Sequence, residues 1–98
     1  MTIQKTQGPG TLTLKLEGRL DTVTAPELEA ELGDKLDGVR ELTLDMAQLQ
    51  YISSAGLRVL LAAQKRMNRQ GLMRLTGVGE VVMEVFEVTG FADILTIE

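Results

Sequence analysis

The chain has 98 residues, 44% hydrophobic and 24% charged, with a net charge of −4 and neither histidine nor cysteine. These values are ordinary for a soluble folded chain. The missing residue types exclude disulfides, thiol nucleophiles, a Ser-His-Asp triad and a zinc site built on histidine or cysteine, so no cofactor or metal is expected.

The acidic balance disfavours nucleic acid, whose phosphates need a basic surface. Tyr51, Phe86 and Phe91 are too few for a base-stacking platform. The length predicts one domain over 1–98. No apolar run approaches the ~20 residues of a bilayer span. The opening MTIQKTQGPG lacks the apolar centre of a signal peptide, so a cytoplasmic location is expected.

In chain order, residues 1–6 predict a short edge strand, ended by the turn Gly8-Pro9-Gly10. From Thr11 to Glu17, Leu12, Leu14 and Leu16 alternate with Thr13, Lys15 and Glu17, the period of a half-buried strand. Gly18-Arg19-Leu20-Asp21 reads as the loop that ends it. Thr24, Pro26 and Glu27 predict a helix start with a capping box. Leu28, Leu32 and Leu36 then form a buried stripe, interrupted by a fraying point at Gly33. Asp37-Gly38 stops this helix.

A second strand is predicted from Val39 to Asp45, with Leu42 and Leu44 inward, followed by a connection over Met46 to Tyr51. The strongest helix runs from Ala55 to Arg69, with Leu57, Leu60, Leu61 and Met67 on one face. Lys65, Arg66 and Arg69 crowd its C-terminal end, where cations suit the helix dipole. A strand from Leu72 to Thr76 turns Met73 and Leu75 inward. The last helix, Glu80 to Val88, carries the stripe Val81, Val82, Val85 and Phe86 and is capped at Thr89-Gly90. Ile94 to Ile97 is either a short final strand or a packed tail. This order predicts an α/β fold: a mixed, mostly parallel sheet of four to five strands with three to four helices, opened by an antiparallel hairpin and partly covered on one side only.

Four motifs carry candidate chemistry. Gly77-Val78-Gly79-Glu80-Val81-Val82 follows a strand and opens a helix, but Val82 stands where a dinucleotide fingerprint needs its third glycine, so it reads as a turn. Asp21, Asp45 and Asp93 flank strands and could pair as catalytic or metal-binding carboxylates. Arg66, Arg69 and Arg74, with Lys65, read as a solvated basic cluster. Ser53-Ser54-Ala55-Gly56 opens the strongest helix, where serine is a standard cap. A phosphate of about −2 charge placed there meets free backbone donors and the positive end of the dipole. Gly56 is read as leaving the backbone open to close approach.

Asp45 to Met67, DMAQLQYISSAGLRVLLAAQKRM, resembles the signature of the STAS domain found in bacterial anti-sigma factor antagonists: a polar strand end, a short connection, Asp-Ser-Ser/Thr-Gly-Leu, then an apolar helix. Gly18-Arg19-Leu20-Asp21 is similar to the family's Gly-x-Leu-Asp, and Ala25-Pro26-Glu27-Leu28 to its first helix start. Gly90-Phe91 followed by Ile94 is similar to its C-terminal ending. The resemblance covers essentially the whole chain. Ser53 stands where the family usually has aspartate, and Ala55 where it has serine or threonine.

The resemblance implies a STAS-like fold and a partner-switching function. The unmodified domain binds an anti-sigma factor that is also a serine kinase, a sigma factor is released, and phosphorylation breaks the complex. A PP2C-type phosphatase reverses the modification. Aligning Gly56-Leu57 with the family's Gly-Leu implies phosphorylation at Ser54, with Ser53 the alternative acceptor. Asp21, Ser53, Ala55, Gly56 and Arg58 are then the expected docking residues. Two other readings stand beside it. One is an unphosphorylated STAS scaffold subunit, for example of a lipid ABC transporter. The other is a small metal-dependent enzyme using Asp21 and Asp45.

Overall fold

The computed structural model describes residues 1–98. Its strands are β1 (Thr2–Gly8), β2 (Thr11–Leu20), β3 (Glu41–Ile52) and β4 (Leu72–Thr76), and its helices are α1 (Ala25–Leu32), α2 (Ser54–Met67) and α3 (Glu80–Thr89). They form one four-stranded sheet of order β1-β2-β3-β4. β1 pairs with β2 antiparallel, and β2–β3 and β3–β4 are parallel, as helical crossovers require. The mixed sheet and the antiparallel opening hairpin follow the sequence expectation. The tail adds a single parallel bridge, Leu75 to Ile97, and buries Leu95.

Period-two alternation sets the two faces of the sheet. Leu12, Leu14 and Leu16, then Leu42, Leu44 and Met46, then Met73 and Leu75, are all buried and join the inward residues of the three helices in one core. The opposite face carries Thr13, Lys15, Glu17, Thr43, Asp45 and Arg74, all partly exposed. There Arg74 pairs with Glu41 at 2.7 Å and Glu98 at 4.0 Å. Arg74 is therefore on the open face of the sheet, and it does not join the cations that end α2.

Two expected loops are strand. β2 continues through Gly18-Arg19-Leu20, with Gly18 at φ 102, a positive value that glycine adopts without steric cost. β3 continues through Met46 to Ile52, across two register shifts against β2. Lys15 pairs with Asp45 and Glu17 with Gln48, then Gly18 with Leu49 and Arg19 with Tyr51, so β3 gains an extra residue at each shift. Each bulge returns an inward side chain after three residues instead of two. Met46, Leu49 and Ile52 are accordingly all buried. A spacing of three hides the strand from a period-two reading.

The helices also depart from expectation in detail. α1 gives way at Gly33 to a 3₁₀ turn, Gly33–Leu36, which still buries Leu36. The expected capping box is absent, because Thr24 makes no cap bond. Its hydroxyl donates to the Arg19 carbonyl at 2.7 Å and accepts the Asp21 N–H at 2.8 Å. In α2, Leu57, Leu60 and Met67 are buried, while Leu61 is half-buried. In α3, Val82 and Phe86 are buried, but Val81 is 60% exposed. Val81 sits ~100° around the helix from Val82, outside the stripe that meets the sheet. Gly90 closes α3 in the left-handed conformation, φ 82, as a glycine C-cap does.

Candidate functional site

The adjacent C-terminal ends of β2 and β3, where Leu20 pairs with Ile52, hold the turn that opens α2. Ser53 is extended (φ −101, ψ 176) and its N–H donates to the Leu20 carbonyl at 2.9 Å. Its side chain accepts from the Gly56 N–H at 3.5 Å, a long cap contact, and its carbonyl accepts the Leu57 N–H at 2.9 Å. Ser53 is therefore the N-cap, and Ser54 is the first helical residue. Ser54 is exposed, and its hydroxyl makes no hydrogen bond within the chain. The two neighbouring serines thus do different work: one satisfies a backbone donor, and the other leaves its oxygen free.

Gly56 is not open to an approaching group, contrary to the expectation. It is buried, and a β-carbon there would lie 2.7 Å from Leu20 Cγ and 2.9 Å from Ile52 Cγ1. The missing side chain lets α2 start directly against the strand ends. That packing fixes where Ser54 emerges.

Asp21 lies one residue beyond Leu20. Its carboxylate accepts the Val23 N–H at 3.0 Å and the Thr24 N–H at 3.1 Å, and Arg19 stands 3.9 Å away. These groups, the Thr24 N–H foremost, hold the Asp21 pKa below its ordinary value. Asp21 therefore stays ionised and shapes the loop that leads into α1. Neighbouring Val23 is 81% exposed, and Arg19 stacks 4.2 Å above the Tyr51 ring centroid. Periodicity did not single out Val23. Its one signal is an apolar residue set between Thr22 and Thr24 in a polar loop.

Ala55 and Arg58 line a shallow groove between α1 and α2 of about 240 Å³, together with Thr22, Pro26 and Glu29. Arg58 is exposed and forms no ion pair, unlike Arg66, which binds Asp37. Ser53, Ala55 and Arg58 thus gather with Ser54 at the start of α2, and Asp21 joins them through the Leu20–Ser53 contact. Of the expected docking residues, only Gly56 is turned inward.

The carboxylate-pair reading fails on register. Asp45 pairs with Lys15, six residues before Asp21 along the neighbouring strand, which separates the two acids by roughly 20 Å at ~3.3 Å per residue. Asp45 instead accepts the Ala47 N–H at 3.0 Å, steadying the first bulge. No group of three or more acidic residues could hold a metal ion. Gly77-Val78-Gly79 is a strand-to-helix turn, with Gly77 at φ 67 against Ala47. No helix is long and apolar enough to cross a membrane.

The model of the STAS domain matches residues 2–98. BtrV of Bordetella bronchiseptica, assigned as an anti-sigma factor antagonist, is 42% identical over 90% of this chain and 78% of its own length. The anti-sigma-B factor antagonist of Staphylococcus aureus is 31% identical over 84% of this chain and 78% of its own length. Among solved structures, the Bacillus anti-sigma factor antagonist SpoIIAA in its unphosphorylated form superimposes with a TM-score of 0.78 at 16% identity, covering 99% of this chain and 87% of that one. Its phosphorylated form gives 0.77 at 17% identity, covering 99% and 91%. At these identities the structures speak for the fold alone.

Proposed function

The chain belongs to the STAS domain family, whose antagonist members are regulators and not enzymes, and we propose that it is an anti-sigma factor antagonist switched by phosphorylation at Ser54. The unmodified domain docks an anti-sigma factor through the turn that opens α2, and a sigma factor is thereby released. The anti-sigma factor doubles as a serine kinase. The Ser54 oxygen attacks the γ-phosphorus of ATP, the bond to ADP breaks, and the hydroxyl proton is lost. A PP2C-type phosphatase hydrolyses the ester and restores the docking form.

The observation that carries this reading is the division of labour between Ser53 and Ser54. Ser53 is occupied as the cap, whereas Ser54 presents an exposed, unbonded hydroxyl on the first residue of α2. Modifying Ser54 leaves the cap and the Leu20–Gly56 packing intact, so the domain keeps its fold while its surface changes charge. A complex weakened a hundredfold has lost ~2.7 kcal/mol. A dianion that keeps even one uncompensated charge buried in an interface costs several kcal/mol, so one phosphate is sufficient without a change of shape.

Intact-mass measurement after incubation with ATP and an anti-sigma factor that carries serine kinase activity tests the reading. Addition of one phosphate, lost in Ser54→Ala and kept in Ser53→Ala, is expected. Failure of wild type to take up phosphate, together with stable co-purification with membrane transporter subunits, would point to a scaffold role instead.

A further inference from the structure

Arg58 stands four residues after Ser54 on α2, exposed and without an ion pair. Residues four apart share one helix face. Helical side chains also lean towards the N-terminus, so a long side chain covers the turn before its own α-carbon. The surface that Arg58 reaches is therefore the turn where the Ser54 hydroxyl emerges. We infer that Arg58 is the internal partner of a phosphate on Ser54, so that modification closes an ion pair along the face of α2. This inference rests on the reading of Ser54 given above.

The surroundings leave this pairing open. The first turn of α2 holds no acidic residue. Glu29 of α1 lines the same groove as Arg58, yet no ion pair joins them. Asp21, at the end of β2, is engaged by backbone N–H groups and by Arg19, and Arg19 is engaged by Asp21 and the Tyr51 ring. Arg58 is thus the cation on α2's opening turns that no other group of the chain holds. The rest of α2's cations, Lys65 and Arg66, are in its last turn.

The pairing has a consequence for the switch. The second ionisation of a phosphoserine lies near pKa ~6, so a fraction of an unassisted ester is monoanionic just below neutrality. A cation held against it favours the dianion and keeps the full charge in place.

The test uses the full chain with phosphoserine placed at position 54 during translation, which needs no kinase. The ³¹P resonance is titrated in low salt. The phosphate pKa should be lower in wild type than in Arg58→Gln by ~0.2–0.4 unit, the size of a helix i,i+4 ion pair. The difference should vanish in 1 M salt, where the Debye length falls to ~3 Å. Arg58→Lys should retain most of it, and Arg69→Gln, just beyond the far end of α2, should titrate like wild type. Coincident curves for wild type, Arg58→Gln and Arg58→Lys would overturn the inference. A kinase that leaves Ser54 unmodified would count against the functional reading and would not alter this titration.

Discussion

Gly56 of α2 lies directly against Leu20 of β2, so closely that a β-carbon at position 56 would fall 2.7 Å from Leu20 Cγ. An alanine in a helix is worth ~1 kcal/mol over glycine when nothing obstructs it. Here it is obstructed by a branch carbon, not by the far end of a flexible side chain. Overpacking of a core costs ~1–3 kcal/mol. Gly56→Ala should therefore lower stability by up to ~2 kcal/mol in urea unfolding. A variant more stable than wild type would show that α2 is not seated as described.

The two serines should separate in a stability assay. Ser53→Ala removes the N-cap and should cost ~0.5–1 kcal/mol, at the low end of cap losses because its contact with the Gly56 N–H is long. Ser54→Ala removes a hydroxyl without a partner and should fall within ±0.5 kcal/mol of wild type. Equal urea midpoints for Ser53→Ala and wild type, with a loss confined to Ser54→Ala, would reverse the assignment of cap and acceptor.

Asp21 should make stability acid-sensitive. Its folded pKa is held below the ordinary value of 3.8, chiefly by the Thr24 N–H and also by the Val23 N–H. A group with a depressed folded pKa contributes its stability above the unfolded pKa and loses it as pH falls through the folded one. Asp21→Asn should therefore be less stable than wild type at pH 7, and the gap should narrow below about pH 4. Thermal melts at pH 7 and pH 3 check this. A constant gap would mean that the carboxylate contributes nothing as a charge.

Much of the fold was legible because its core strands keep strict alternation. Leu12, Leu14 and Leu16, and then Leu42 and Leu44, announced both the strands and the buried face. The second half of β3 was not legible. Its two bulges against β2 space Met46, Leu49 and Ile52 by three, a spacing that no regular strand has. The positive φ of Gly18 likewise made strand look like loop. At the site, the serine turn stood out as a helix start. That Thr24 makes no side-chain cap was hidden, because Thr24 Oγ1 is drawn to Arg19 and Asp21 across the loop. Gly56 was misread because its sequence neighbours do not reveal that Leu20 and Ile52 close over it.

The central claim is that charge on Ser54 decides whether the domain docks its partner. Calorimetric titration of an anti-sigma factor partner with unmodified protein and with protein phosphorylated at Ser54 measures it directly. The account predicts an affinity at least ~100-fold weaker, or ~2.7 kcal/mol, for the phosphorylated form. Equal affinities for the two forms would contradict it.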